Sequence, residues 1–466
     1  MKKFVLLPIL LFTFCMAGAQ KTARVHGTIT HPEGDMVYLK YYKDYLTYDE
    51  IVVDSAKLDK KGNYRMQFTW AAPYPATFYH GDEITEMYIS PGDDLRLTLD
   101  TKAFDETVKY EGKGAEINTY LAQKALLFSY INPLICKEDE QTFIHHVDSV
   151  YEAELAFFNQ HFAGIQEDRP SIKAFKEYEH AELIYGWANT KTEYPGLNAY
   201  LNKRREPTKV SDRFMDFMNH ISIKNEPALV SGAYQDFISG YVNREVSKLL
   251  QADTSLVAIP LKEKYIEQHF TGELRDFITA QWIYTLWTEE DNLAEGKRLF
   301  DKLNMHSPNN QYAGLLNETY TIVSKLSPGN PAPDFTCLDQ HGEKVSLSDF
   351  KGKVVYMDVW ATWCGPCRSE IPSAQKLIED FEGEDVVFLC ISVDDDVDAW
   401  KKLIKDKEMK GVHVNSSGNF DSVVAKLYNS KGIPHYILID QEGKIVDINA
   451  KRPSGGIAED LDALLK

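Results

Sequence analysis

Residues 353–372 read KVVYMDVWATWCGPCRSEIP. The stretch opens as a nearly unbroken apolar run, Val354 to Trp360, whose length and β-branched content mark a buried strand. It breaks at two cysteines, Cys364 and Cys367, that enclose Gly365 and Pro366. Beyond them Ile371, Ala374, Leu377, Ile378 and Phe381 recur on one helical face. A strand, a cysteine pair and a helix in that order put the thiols at the carboxyl end of a strand and the start of a helix. Open α/β sheets usually place their chemistry there.

The residues on either side extend the pattern. Upstream, DFTCLDQHGEKVSL reads as a hairpin. Downstream come the strand DVVFLCISV, helices near DAWKKLIKD and FDSVVAKLY, the strand PHYILID, the turn QEGK, the strand IVDIN and a closing helix. Strands alternating with helices at this spacing imply an α/β sheet covered on both faces. Pro328, Gly329, Pro331 and Pro333 in LSPGNPAPDF cannot continue a helix and mark the start of this module, residues 327–466. Before it, apolar residues recur three and four apart: Phe214, Phe217 and Met218; Tyr234, Phe237, Ile238 and Tyr241; Leu274, Phe277, Ile278 and Trp282. Residues 115–326 therefore read as an α-helical middle domain whose aromatic stripes are core. Residues 20–114 alternate with period two, as in GNYRMQF and DDLRLTLD, between turn signals such as KKGN and SPGDD. They read as an N-terminal antiparallel β domain, a sandwich. The chain is thus multidomain.

The opening MKKFVLLPILLFTFCMAGAQ joins two lysines, an apolar run and Ala-Gly-Ala, the three-part pattern of a cleaved signal peptide over residues 1–19. Thr13 and Phe14 make lipid attachment at Cys15 the lesser alternative. No later stretch has the length of a membrane helix, so no membrane insertion is expected after cleavage. The net charge of −19 argues against nucleic acid or anionic lipid as partner. Once Cys15 is set aside the cysteine count is odd, which rules out a chain held together wholly by internal disulfides. Cys337 and Cys390 lie in strand-like runs and read as buried thiols; Cys136 suggests no role.

The chemistry of Cys364 and Cys367 can then be weighed. Zinc needs four ligands, and no second pair stands at short spacing, so no metal is expected. A static disulfide across so short a loop would stabilise little. Peroxiredoxins also open on APDF but carry Pro and Thr seven and three residues before the reactive cysteine, where this chain has Met357 and Ala361. Reversible redox chemistry fits best. A helix amino terminus favours thiolate, which makes Cys364 the attacking sulfur and Cys367 the resolving one. Pro366 suits the first helical turn. Asp358 sits within the apolar strand, where a carboxylate needs a reason, and proton exchange with Cys367 supplies one; the plainer alternative is a partly wet strand end with a hydrogen-bond partner. Glu370, one turn beyond Cys367, handles protons or is a solvated helix charge. Pro434 opens the strand expected beside the one leading to Cys364, and a cis bond there would set the backbone of Ile433 against the disulfide.

These pieces, PGNPAPDF, GKVVYMDVWATWCGPCRSEIP and GIPHYILID, resemble the TlpA/ResA family of extracytoplasmic thiol-disulfide oxidoreductases. The resemblance implies a thioredoxin fold with an inserted segment, Cys364 as nucleophile, Cys367 as resolving cysteine, Pro434 as the cis proline and Glu370 at the family's acidic position. Trp363, Gly365, Pro366, Ile433 and His435 would line the site. Asp358 matches the buried aspartate of thioredoxin, where many relatives carry asparagine. His435 departs from the threonine that commonly follows the cis proline. The N-terminal VHGTI, GNYRMQF and SPGDDLRL are similar to an uncharacterised domain fused ahead of such modules in Bacteroidetes envelope proteins. The expected activity is reduction of protein disulfides in the periplasm or cell envelope, with no cofactor and with a membrane electron donor. The alternatives are an adaptor whose N-terminal region selects a partner, and a disulfide oxidase or isomerase.

Overall fold

The computed structural model describes residues 21–128, 132–165, 169–290 and 292–466. The leader expected over residues 1–19, with Cys15, lies outside the described residues. The chain divides into two units, one ending at Ile278 and one running from Thr279 to Lys466.

The first unit begins with β1 (Lys21–Thr30), β2 (Met36–Tyr42), β3 (Glu50–Lys57), β4 (Asn63–Trp70), β5 (Tyr74–His80), β6 (Glu83–Ile89), β7 (Asp94–Asp100), the short α1 (Phe104–Thr107) and β8 (Lys109–Lys113). Along β4 every second side chain is buried: Tyr64, Met66, Phe68 and Trp70. That alternation lets one face of each strand enter a shared core. The strands form two four-stranded sheets, β4-β1-β7-β8 and β3-β2-β5-β6, whose inner faces meet through Val25, Val37, Leu39, Met66, Phe78, Leu95 and Leu97. All pairs are antiparallel except one, since β1 runs parallel to β7. The intervening strands supply the long crossover a parallel pair requires. A Cβ on Gly27 would lie 1.7 Å from the Leu97 carbonyl oxygen, so the closeness of that pair depends on glycine.

Helices follow from Ala115: α2 (Ala115–Leu127), α3 (Glu140–His161), α4 (Pro170–Leu201), α5 (Gly232–Ala252), α6 (Ala258–His269), α7 (Gly272–Thr288), α8 (Leu293–His306) and α9 (Ala313–Val323). The stripe Tyr234, Phe237 and Ile238 is buried on α5, and Leu274, Phe277 and Ile278 are buried on α7. The helix expected around Phe214, Phe217 and Met218 does not form; turns and a 3₁₀ segment over Asp216–His220 stand there instead. Tertiary packing overrides the local period: Phe214 is buried with Phe143 and Tyr194, and Phe217 meets the Trp187 ring edge-on at 5.1 Å.

The second unit takes in the end of α7, then α8 and α9, and a seven-stranded α/β sheet. Its elements are β9 (Thr336–Asp339), β10 (Lys344–Ser346), β11 (Val354–Trp360), α10 (Gly365–Asp380), β12 (Val386–Ser392), α11 (Val397–Asp406), β13 (Val412–Asn415), α12 (Val423–Leu427), β14 (His435–Ile439), β15 (Ile445–Asp447) and α13 (Ala458–Leu464). The order β10-β9-β13-β12-β11-β14-β15 makes β11 interior, parallel to β12 and antiparallel to β14. Val355, Met357 and Val359 point into one core with Trp400, Val424 and Tyr428 of α11, α12 and the residue after α12. Val354 and Tyr356 point into a second core with Leu377, Tyr436 and Leu461, below α10 and α13. Alternation along β11 thus assigns Asp358 to the α10 face. The proline-rich entry lies along the sheet edge: Gly329 N–H donates to the Ile445 carbonyl, and Ile445 N–H donates back to Asn330. This is the thioredoxin-like α/β arrangement expected for the C-terminal module.

Candidate active site

Cys364 is the residue from which α10 starts. Its backbone is extended, at φ −77° and ψ 103°, and its sulfur accepts the N–H of Cys367 at 3.1 Å. Pro366 occupies the first turn, where a missing N–H is harmless. Cys364 and Cys367 are joined as a disulfide with Cα atoms 5.3 Å apart, and both are buried. The Ile433–Pro434 bond is cis, and the Ile433 carbonyl oxygen lies 3.7 Å from the Cys364 sulfur. Gly365 and Pro366 are exposed beside the pair, while Trp363, 55% exposed, meets the ring of Phe420 edge-on.

The two acids behind the pair differ. Asp358 is half-buried; its Oδ1 is shielded from solvent and has no hydrogen-bond partner among the described residues. Burial and, second, the Glu370 carboxylate push its pKa up to about 7. Glu370 is buried, not a solvated helix charge, and accepts both the backbone N–H of Ser454 at 3.0 Å and its hydroxyl at 2.8 Å.

His435 lies at the start of β14, directly across from Val359. Its Nε2 is 2.6 Å from the Ile448 carbonyl and its Nδ1 2.6 Å from the Ser430 hydroxyl. A carbonyl only accepts, so Nε2 carries the proton and Nδ1 accepts from Ser430. Burial lowers the imidazole pKa and keeps the ring neutral.

The relatives decide the family. A ResA thiol-disulfide oxidoreductase from Bacillus thuringiensis subsp. konkukian is 32% identical over 128 residues, which is 27% of this chain and 72% of the relative. The chain belongs to the ResA-like thiol-disulfide oxidoreductases. The Bacillus subtilis ResA is 28% identical over 33% of this chain and 83% of its own length. The model of the AhpC/TSA family matches residues 328–448. A crystal structure of the thioredoxin domain of a Bacteroides vulgatus thiol-disulfide oxidoreductase is 32% identical, covers 30% of this chain and 99% of its own, and aligns with a TM-score of 0.27.

For this ResA-like enzyme the structure brings Cys364, Cys367, Ile433 and Pro434 together, with Asp358, Glu370 and His435 on the surrounding elements. Sequence reasoning missed three polar residues. Asp394 is buried and accepts from the Thr362 N–H at 2.9 Å, the Thr362 hydroxyl at 2.7 Å and the Ser392 hydroxyl at 2.7 Å, pinning the loop before Cys364. Ser454 and Ser430 hold Glu370 and His435. Asp394 carried one signal, a carboxylate just after an apolar strand; the serines carried none. Cys136, Cys337 and Cys390 are free and buried, and burial raises each thiol's pKa.

Proposed function

We propose that this ResA-like enzyme reduces protein disulfides outside the cytoplasm through a dithiol–disulfide cycle of Cys364 and Cys367. One observation carries the reading: the pair is bonded at the start of α10, with the Asp358 carboxyl, its pKa pushed up to about 7, on the strand behind it. In the reduced enzyme the helix terminus favours thiolate at Cys364. Cys364 attacks one sulfur of the substrate disulfide, a mixed disulfide forms, and the first substrate thiolate leaves and takes a proton from water. Cys367 then gives its proton to the Asp358 carboxylate and attacks the Cys364 sulfur. The second substrate thiolate leaves and takes the proton held by Asp358, and the enzyme is left as the disulfide. Two electrons and two protons from a membrane-bound dithiol donor restore it.

The Gly-Pro spacer and Asp358 resemble reducing thioredoxin, which supports the reductive direction. The leader-like first residues support an envelope location. Among the described residues no helix is long and apolar enough to cross a membrane. The deciding experiment is equilibration of the Cys364–Cys367 couple with defined thiol buffers. A potential near or below about −250 mV is expected, and one near roughly −120 to −180 mV would make the enzyme an oxidant or isomerase. Cys364→Ser should abolish reduction of insulin disulfides.

A further inference from the structure

Glu370 and Ser454 are 84 residues apart in sequence, yet the serine gives the carboxylate two hydrogen bonds. Ser454 lies in a 3₁₀ turn, Pro453–Gly455, just before α13, and is itself exposed. Glu370 is buried on α10, the helix that covers the Asp358 face of β11. Nothing in the turn requires the serine hydroxyl, since the backbone closes on its own through Gly455 N–H to the Arg452 carbonyl. The hydroxyl contact therefore serves the carboxylate.

The groups facing Asp358 come from every element around it: Tyr356 from its own strand, Cys390 from β12, Tyr436 from β14, and Glu370 from α10. Asp358 pairs directly with Cys390 and with Tyr436 across the two ladders. Arg452, next to the serine turn, acts on the Tyr436 hydroxyl. That hydroxyl is buried and has no hydrogen-bond partner among the described residues, so it does not compensate the aspartate. The carboxylate of Glu370 is the charge that acts on Asp358, and its strength depends on where it is held.

We propose that Ser454 is a positioning residue that fixes Glu370 within electrostatic reach of Asp358 and thereby sets the pH at which Asp358 accepts the proton of Cys367. The inference rests on the dithiol cycle above. Glu370 acts through its position, Asp358 is the proton carrier, and Ser454 touches neither substrate nor sulfur. Releasing Glu370 from this position weakens the repulsion on Asp358. The aspartate then ionises at lower pH and becomes a weaker base.

The test is single-turnover oxidation of the reduced full chain by a small disulfide, hydroxyethyl disulfide, followed by tryptophan fluorescence across about pH 5 to 9. Ser454→Ala should move the midpoint of the rate profile down by at least about half a pH unit and lower the plateau about two- to threefold. Ser454→Thr, which keeps the hydroxyl, should restore the wild-type midpoint. In a Glu370→Gln background Ser454→Ala should leave the midpoint where Glu370→Gln alone puts it. A Ser454→Ala profile that superimposes on wild type overturns the proposal, as does a shift that persists in the Glu370→Gln background. Failure of the underlying reading looks different in the same assay, as turnover that survives in Cys364→Ser.

Discussion

In the proposed cycle Asp358 trades stability for chemistry. Its carboxyl pKa is raised from an unfolded value of 3.8 to about 7, by burial and then by Glu370. A group whose pKa rises on folding favours the native state while it keeps its proton, and that advantage is lost as pH climbs from the unfolded value through the folded one. At pH 8 the folded enzyme therefore carries a buried charge costing roughly 2–4 kcal/mol relative to a neutral isostere. Asp358→Asn should raise the thermal midpoint of the second unit at pH 8, and the gain should vanish near pH 4; an equal gain at both pH values would contradict the raised pKa. The same change should slow the resolving step at neutral pH by about tenfold to a hundredfold, measured as decay of the mixed disulfide. A carboxyl that weakens the fold in this way is retained where its proton transfer is used, as the proposed cycle uses it. His435 works in the opposite sense, because its two nitrogens are satisfied by Ser430 and Ile448 and its ring stays neutral.

At the scale of elements, the site depends on three joints: the end of β11, the start of α10 and the turn into β14. Local signals revealed all three, because apolar runs, a proline in a first helical turn and a proline before a strand act within a few residues. What the sequence did not reveal are the polar ties between distant segments. Asp394 holds Thr362 from 32 positions away, and Ser454 holds Glu370 from 84. Such pairs follow from which elements lie side by side, and no period of three, four or two residues encodes that. Asp394→Asn leaves one accepting oxygen where the aspartate offers two, so at least one of the Thr362 or Ser392 donors loses its partner. The expected cost is about 1–3 kcal/mol in the thermal or denaturant stability of the second unit. The loosened loop should also lower the rate of Cys364 alkylation by iodoacetamide in the reduced enzyme, whereas an unchanged rate would show that α10 alone fixes the thiol.

At the scale of the whole molecule, the period-two and period-3.6 stretches correctly separated β from helix, and the strand–helix alternation gave the C-terminal sheet. The parallel β1–β7 pair was not legible, since alternation tells which side chains face a core but not which strands are neighbours. Nor were the turns around Phe214, where packing on Phe143 and Tyr194 outweighs an apolar spacing that fits a helix. The cysteines connect the fold to the proposed compartment. Cys136, Cys337 and Cys390 lie in two different units, and Cys364 and Cys367 stand at the start of α10 beside exposed Trp363; all five are buried. A raised pKa makes the first three slow to react, whereas the helix terminus favours thiolate at Cys364. The folded, reduced protein should therefore give one fast thiol, Cys364, to an aromatic disulfide reagent, and unfolding in denaturant should release the other four. Cys15 is the sixth cysteine of the chain. Protein recovered from the envelope of its own cell, reduced and unfolded, should titrate to five thiols with an amino terminus near Gln20 by mass spectrometry. A sixth thiol, or an intact Met1, would show that the leader is retained, and the proposed route out of the cytoplasm would then have to be abandoned.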